Sequence, residues 1–436
     1  MRLTVLVLFF GYCAVSQAQN RLVFHSLTEV FSYADTHSVT FKNATQQAIL
    51  AKYQTLAAKL SLLNVKSDAS FSATDNTKLP VSFLPAEIFG GPAGTFKQIT
   101  LGQKYLSVFN VAPQIDLLNP YAAALIKESK VNEKLVNVTN QLTKKNLYES
   151  LAAAYYNILS FEWQIKVTEK SLANADTLSQ IMKNKLTEGV ARSQDVNNSI
   201  ANQLAIQDKL QQLQIQLDEQ YNSLKLLMDV DTKSLVAIEE EVVSKNNFEA
   251  TLAANGNLQK QQSEWQMRYQ QADLDANKKW FLPKVGFVSS FSWQQYTNNH
   301  FFDNSQFLAA NYVGAKITVP LVPTANNIAA VKYDRINLVS AKNNVAHAAL
   351  QDSINNLQTS LDYKKAFNSY GLSRQIENLK EDTYRKNLNI YKEGILSATD
   401  LLISFNDWLS NSLNTVIQLA NSEYAKSKIM ISNTVK

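Results

Sequence analysis

The chain of 436 residues is short of helix breakers, with 11 glycines and 8 prolines, about a third and under half of their usual shares. All eight prolines fall in two windows, Pro80, Pro85, Pro92, Pro113 and Pro120, then Pro283, Pro320 and Pro323, so residues 121–282 and 324–436 contain none. Gaps that long suit long helices and exclude a fold of many short strands and turns, which proline and glycine normally punctuate. Collagen-like and Pro/Gly-rich disordered chains are excluded on the same ground, and the breaks that separate ordinary globular domains are missing too. The one cysteine is Cys13, so a disulfide-stapled scaffold is excluded. Charged residues make up 18% of the chain and leave a net charge of +5, with basic and acidic residues interspersed. That dispersal excludes a nucleic-acid partner. Asn, Gln, Ser and Thr take up the shortfall and wet the surface without strong fields.

What is present begins with a secretory leader expected over residues 1–18: Arg2, an apolar stretch over 3–15, and small residues at Ser16-Gln17-Ala18. Cleavage there starts the mature chain at Gln19, removes Cys13 and lowers the net charge by one with Arg2. Tyr12 is bulky where a lipoprotein signal needs a small residue, which argues against lipidation. The leader is too short to span a bilayer, and no later run of 18 apolar residues exists, which argues against a helical inner-membrane protein.

Apolar residues at spacings of three and four (Val30, Tyr33, Ala34, Leu50, Tyr53, Leu56, Leu60, Leu63) predict an amphipathic helix over 27–64, broken near 37–40. A second helix is expected over 121–187, roughly 100 Å long at 1.5 Å per residue. Gly189 interrupts it, and a third helix over 193–228 carries the seam Val196, Ile200, Leu204, Leu210, Leu213, Leu217, Leu224 and Met228. Two helices joined so briefly predict an antiparallel coiled-coil hairpin. The order then returns, with helices over 258–280, 326–392 and 399–431 and an interruption at Gly394. Glu188-Gly189 matches Glu393-Gly394 at an offset of 205, Asp195 matches Asp400, and Val196, Ile200 and Leu204 match Leu401, Phe405 and Leu409. The chain therefore reads as an internal duplication of two large halves, 19–255 and 256–436.

In the proline windows the hydrophobic period changes from 3.6 to 2. Lys66, Asp68, Ser70 and Ser72 alternate with Val65, Ala69, Phe71 and Ala73, and Ile99, Leu101, Tyr105, Phe109, Val111, Ile115 and Leu117 alternate with Thr100, Gly102, Lys104, Asn110, Gln114 and Asp116. In the second half Val285, Phe287, Phe291 and Trp293 alternate with Gly286, Ser290, Ser292 and Gln294, and Val313, Ala315, Ile317 and Val319 with Gly314, Lys316 and Thr318. Each half thus offers one strand pair, about 65–118 and 284–320, with strands long enough to cross a bilayer at a tilt. A half-buried sheet of a soluble domain would alternate likewise. The leader, the missing cysteine and the aromatic residues Phe287, Phe291, Trp293, Tyr296, Phe301, Phe302, Phe307 and Tyr312 favour a membrane barrel. Four strands are too few to close one, since closure takes about eight, so several chains are needed. Residues 77–98 read as an exposed loop outside the barrel, either a plain connection or a lid.

Leader, helix, strand pair, long helix, glycine tip and helix, all duplicated, resemble the TolC-type outer-membrane efflux protein family over essentially the whole mature chain. The most specific residues are Gly189 followed by Asp195-Val196 and Gly394 followed by Asp400-Leu401. Leu282-Pro283 also resembles the family's helix-to-strand junction, where the first half has Leu63-Asn64. The resemblance implies a mainly α fold with transmembrane β: a homotrimer whose 12-stranded barrel in outer-membrane lipid continues into a long periplasmic α-helical barrel. It implies a channel of a tripartite efflux or type I secretion system, fed by a periplasmic adaptor (membrane fusion) protein and an inner-membrane pump of RND or ABC type. The helix tips, Glu188, Gly189, Val190, Asp195, Tyr391, Glu393, Gly394, Ile395 and Asp400, would then form the periplasmic aperture and the adaptor contact, with a link from Tyr391 to Asp195. Two positions depart from the family pattern: Leu396 stands where an arginine is expected, and Ile403 where a second aspartate is.

At the level of the residues, Gly189 and Gly394 are helix terminators suited to positive φ, and Asp195 and Asp400 suit either the positive ends of the returning helices or an aperture ring. No catalytic residue and no cofactor is expected, because the chain has no HExxH, phosphate-binding glycine loop or GxSxG, and His25, His37, His300 and His347 lack metal-ligand spacing. The alternative reading is a secreted periplasmic coiled-coil structural or adaptor protein without a barrel. An adaptor should carry a glycine-rich lipoyl-like domain between its hairpin arms, and none is visible.

Overall fold

A computed structural model describes residues 21–63, 65–240, 254–322 and 324–435; the leader expected over 1–18 lies outside the described residues. Seven α-helices are present among them: α1 (Leu27–His37), α2 (Val39–Leu63), α3 (Pro120–Thr187), α4 (Ser193–Met228), α5 (Leu258–Lys279), α6 (Ala325–Lys392) and α7 (Ala398–Thr434). The proline-free stretches hold α3 and α6 at 68 residues each, as their lack of breakers requires. No described helix is long and apolar enough to cross a membrane. The expected break near 37–40 falls at Ser38, an extended residue with its side chain fully buried. The Asp229 carboxylate at the end of α4 accepts from Ser38 Oγ at 3.3 Å and from the Val39 amide at 2.7 Å, so it holds the break and caps α2.

The strands are β1 (Arg21–Phe24), β2 (Val65–Asp75), β3 (Val81–Pro85), β4 (Phe96–Thr100), β5 (Tyr105–Leu118), β6 (Leu235–Ile238), β7 (Lys284–Thr297) and β8 (Leu308–Thr318). By contacts the chain divides into two compact units that cut across the two sequence repeats, Gln47–Val138 with Gln261–His347 being one and the remainder the other. The first contains a four-stranded sheet in the order β2-β5-β7-β8, antiparallel throughout. Its register aligns Phe71, Phe109 and Trp293, then Ala69, Val111 and Phe291, then Val65, Ile115 and Phe287, on one face. The opposite face carries Lys66 with Gln114, and Ser70 with Asn110 and Ser292, and Ser290 Oγ meets Asn110 Oδ1 at 2.7 Å across it. The sheet is amphipathic, with β2 and β8 as its two free edges.

Three details differ from the sequence expectation. The alternation over 99–117 is not one strand: β4 ends at Thr100, and β5 starts at Tyr105 after a turn in which Gly102 takes φ 112°. Tyr296 and Tyr312 do not join the aromatic set, because the register pairs them with Leu106 and Ser290 on the polar face. Residues 77–98 are not a plain connection but a folded hairpin of β3 and β4 around a short 3₁₀ turn, Ala86–Phe89, stapled by the Ala86 amide on Thr95 O at 2.8 Å. Phe301 and Phe302 lie in the β7–β8 connection, which folds back so that Phe302 stacks on Phe71 and Phe301 meets Tyr105 edge-on, with centroids 5.6 and 4.8 Å apart. Gln295, 1% exposed, holds that connection by donating to Asp303 O and Ser305 O, both at 2.9 Å.

The other unit contains a short parallel pair that the sequence did not suggest, β1 with β6, and the tips of both helical hairpins. Its core at the tips packs Met182 of α3, Val196 of α4, Tyr384 and Tyr391 of α6, and Leu401, Phe405 and Trp408 of α7. Tyr384 stacks on Trp408 with centroids 5.2 Å apart, and Phe405 tilts against both.

Candidate functional site: the helix tips

Both tips close in the same way. At the end of α3 the Gly189 amide bonds Leu186 O at 3.0 Å and the Val190 amide bonds Lys185 O at 2.8 Å; at the end of α6 the Gly394 amide bonds Tyr391 O at 3.1 Å and the Ile395 amide bonds Ile390 O at 3.2 Å. These paired bonds satisfy the last carbonyls of each helix in a Schellman motif, which needs a left-handed residue at the position of the glycine. Gly189 and Gly394 supply it with φ of 75° and 79°. The residue after each glycine is aliphatic and points to solvent, Val190 at 67% and Ile395 at 76% exposure. Glu188 and Glu393 are exposed beside them. Each tip therefore presents one carboxylate and one uncovered aliphatic side chain.

The two aspartates sit in the first turns of the returning helices. Asp195 accepts from the Arg192 amide at 3.2 Å, and Asp400 accepts from Ser397 Oγ at 2.7 Å while its own amide bonds Ser397 Oγ at 3.1 Å. The Asp195 carboxylate thus takes up a backbone amide, whereas Asp400 orients the Ser397 hydroxyl that caps its own amide, and both carboxylates sit at the positive end of a helix dipole. Tyr391 and Asp195 border one cavity of about 320 Å³, together with Lys185, Arg192 and Leu396. The link expected between them is not a hydrogen bond, because the Tyr391 hydroxyl is buried without a partner and Asp195 is engaged by its own helix start. Asp195 acts on Tyr391 through its charge: burial first, then that carboxylate, raise the phenol pKa. Leu396, where the family pattern has arginine, packs against the apolar core of the tips, whereas Ile403 is exposed.

Sequence reasoning missed Lys185. Its ammonium donates to Tyr391 O at 2.8 Å and Lys392 O at 3.4 Å and lies 4.5 Å from the centre of the Tyr391 ring. The first hairpin thereby holds the end of the second. Only the offset carried a signal for it, since Ile390 stands 205 residues on and breaks the symmetry of the repeat. Among the described residues no three His, Cys, Asp or Glu side chains gather to hold a metal ion.

No family model and no curated protein matches this sequence. Solved structures do. The outer membrane protein VceC of Vibrio cholerae is 15% identical with a TM-score of 0.69, over 93% of this chain and 95% of that one. CusC, described for its folding and transmembrane channel formation, is 13% identical with a TM-score of 0.75, over 95% and 93%. The MtrE outer membrane channel of Neisseria gonorrhoeae, solved in an open state, is 15% identical with a TM-score of 0.70, over 94% and 90%. This chain has the fold of the TolC-type outer-membrane efflux channels, long paired helices joined to a four-strand segment of β-sheet.

Proposed function

We propose that this protein is the outer-membrane channel of a tripartite efflux or type I secretion system. Three copies would close a barrel of 12 strands in outer-membrane lipid, with the helices of both repeats, 19–255 and 256–436, continuing into the periplasm. The observation that carries this reading is the sheet β2-β5-β7-β8: one face apolar and aromatic, the other polar, both edges free, and too few strands to close alone. Lipid would cover the apolar face, water would fill the polar one, and pairing of β8 with β2 of the next copy would satisfy the edges. Solved structures of the same fold that are described as outer membrane channels support a conduit, which would be a passive path without covalent chemistry. The tips would form the periplasmic aperture, and the exposed Val190 and Ile395 would offer apolar contacts to a periplasmic adaptor that joins the channel to an RND- or ABC-type inner-membrane pump.

Membrane fractionation with gel electrophoresis of unheated and heated samples tests this. An outer-membrane species running as a trimer until it is boiled is expected. A soluble periplasmic monomer would overturn the reading and favour a secreted coiled-coil protein.

A further inference from the structure

The two tips match in backbone geometry but not in what holds them. Lys185 occupies the third position before the terminal glycine-bearing turn of α3, and its own carbonyl accepts the amides of Val190 and Ala191 at 2.8 and 3.0 Å. Its side chain leaves that hairpin and reaches the last turn of α6, where Tyr391 O accepts both the ammonium and the Gly394 amide that closes the second tip. A carbonyl has two lone pairs, so both bonds stand together. A cation at the exposed carbonyls of a helix end also meets the negative end of the helix dipole, and the Tyr391 ring beneath it adds a cation–π contact. The matching residue of the second hairpin, Ile390, has no donor.

We infer that Lys185 clamps the two hairpins of one chain into a single moving piece at the tips, and that the seam to a neighbouring copy, where Ile390 stands at the position matching Lys185, lacks this clamp. The inference rests on the trimeric channel reading for its second half. In a ring of three chains each hairpin has one neighbour within its chain and one in the next. With the ammonium on one side only, the aperture would widen at the three seams between chains, and the pair of hairpins within a chain would swing together.

Hydrogen exchange read by mass spectrometry on the purified full-length protein in detergent tests the clamp without reference to transport. In Lys185→Met, which keeps the apolar stem and removes the donors, amides over 391–396 should exchange at least tenfold faster, while those over 401–408 keep their rate. Lys185→Arg, which keeps charge and donors, should restore most of the protection. Unchanged exchange over 391–396 in Lys185→Met, or equal loss across all helix ends, overturns the clamp. Conductance in planar bilayers supplies the second arm. If wild type conducts, Lys185→Met should show at least a twofold change in mean conductance that Lys185→Arg does not, and identical conductance in all three overturns the seam argument. If wild type never conducts but exchange responds as expected, the clamp stands and the channel reading falls.

Discussion

Gly189 and Gly394 show how much a single backbone angle decides. Nothing lies within 4 Å of where a Cβ would sit at either position, so a side chain would meet no obstacle, and the cost of replacing glycine is the left-handed φ alone. For an L-residue that is about 1 kcal/mol. Gly189→Ala and Gly394→Ala should each lose roughly that amount locally, read as faster amide exchange at residues 190 and 395 with no change in the helical core. Loss of folding in either variant would show that the glycines do more than turn the chain. At this scale the sequence was informative about glycines, because left-handed turns select them. It was silent on Lys185 as the donor to the Tyr391 carbonyl, since which side chain reaches a helix end depends on which helix packs beside it.

The elements were legible where breakers and periodicity agree. Both long helices have their ends within a residue or two of the proline and glycine positions that bound them. Strand ends were less legible, since the run from Ile99 continued its alternation straight through the turn at Gly102, and period alone cannot tell a turn from a pleat. The faces of the sheet make a sharper prediction. Val313 and Tyr312 are neighbours on β8, both well exposed in the single chain, and lie on opposite faces. Under the barrel reading Val313 meets lipid and Tyr312 the lumen. Val313→Arg should then cost about 2–4 kcal/mol and deplete the heat-modifiable trimer, while Tyr312→Arg should leave its yield near wild type. Equal yields would argue that neither face meets lipid.

For the molecule as a whole, stability should depend on pH in an uncommon sense where acids are buried together. Within the unit that holds the sheet, Glu128 of α3, Asp273 of α5 and Asp334 of α6 lie together, with Asn277 Nδ2 donating to Asp334 at 2.8 Å and to Asp273 at 3.3 Å. Burial first, then the neighbouring carboxylates, raise the pKa values of Glu128 and Asp273 above their ordinary 4.5 and 3.8, although a Tyr269 hydrogen bond partly offsets this for Glu128. A raised carboxyl pKa means that the folded form binds the proton more tightly than the unfolded one. These groups therefore oppose folding above the raised values, and the penalty is relieved as pH falls through them toward the ordinary ones. Glu128→Gln should accordingly raise the thermal midpoint at pH 7.5 and lose that advantage near pH 4.5; an equal shift at both would show that charge is not the cause. The sequence by itself determined the helices, the tips, the four long strands and the repeat, because those follow from local backbone preference and from hydrophobic period along one chain. Tertiary structure alone decided that Asp195 serves its own helix while Lys185 crosses to the next, that 77–98 folds as a hairpin, and that three acids spread over some 200 residues share one site. Such contacts join residues far apart in sequence, and their energies depend on distance and burial, which no local pattern encodes.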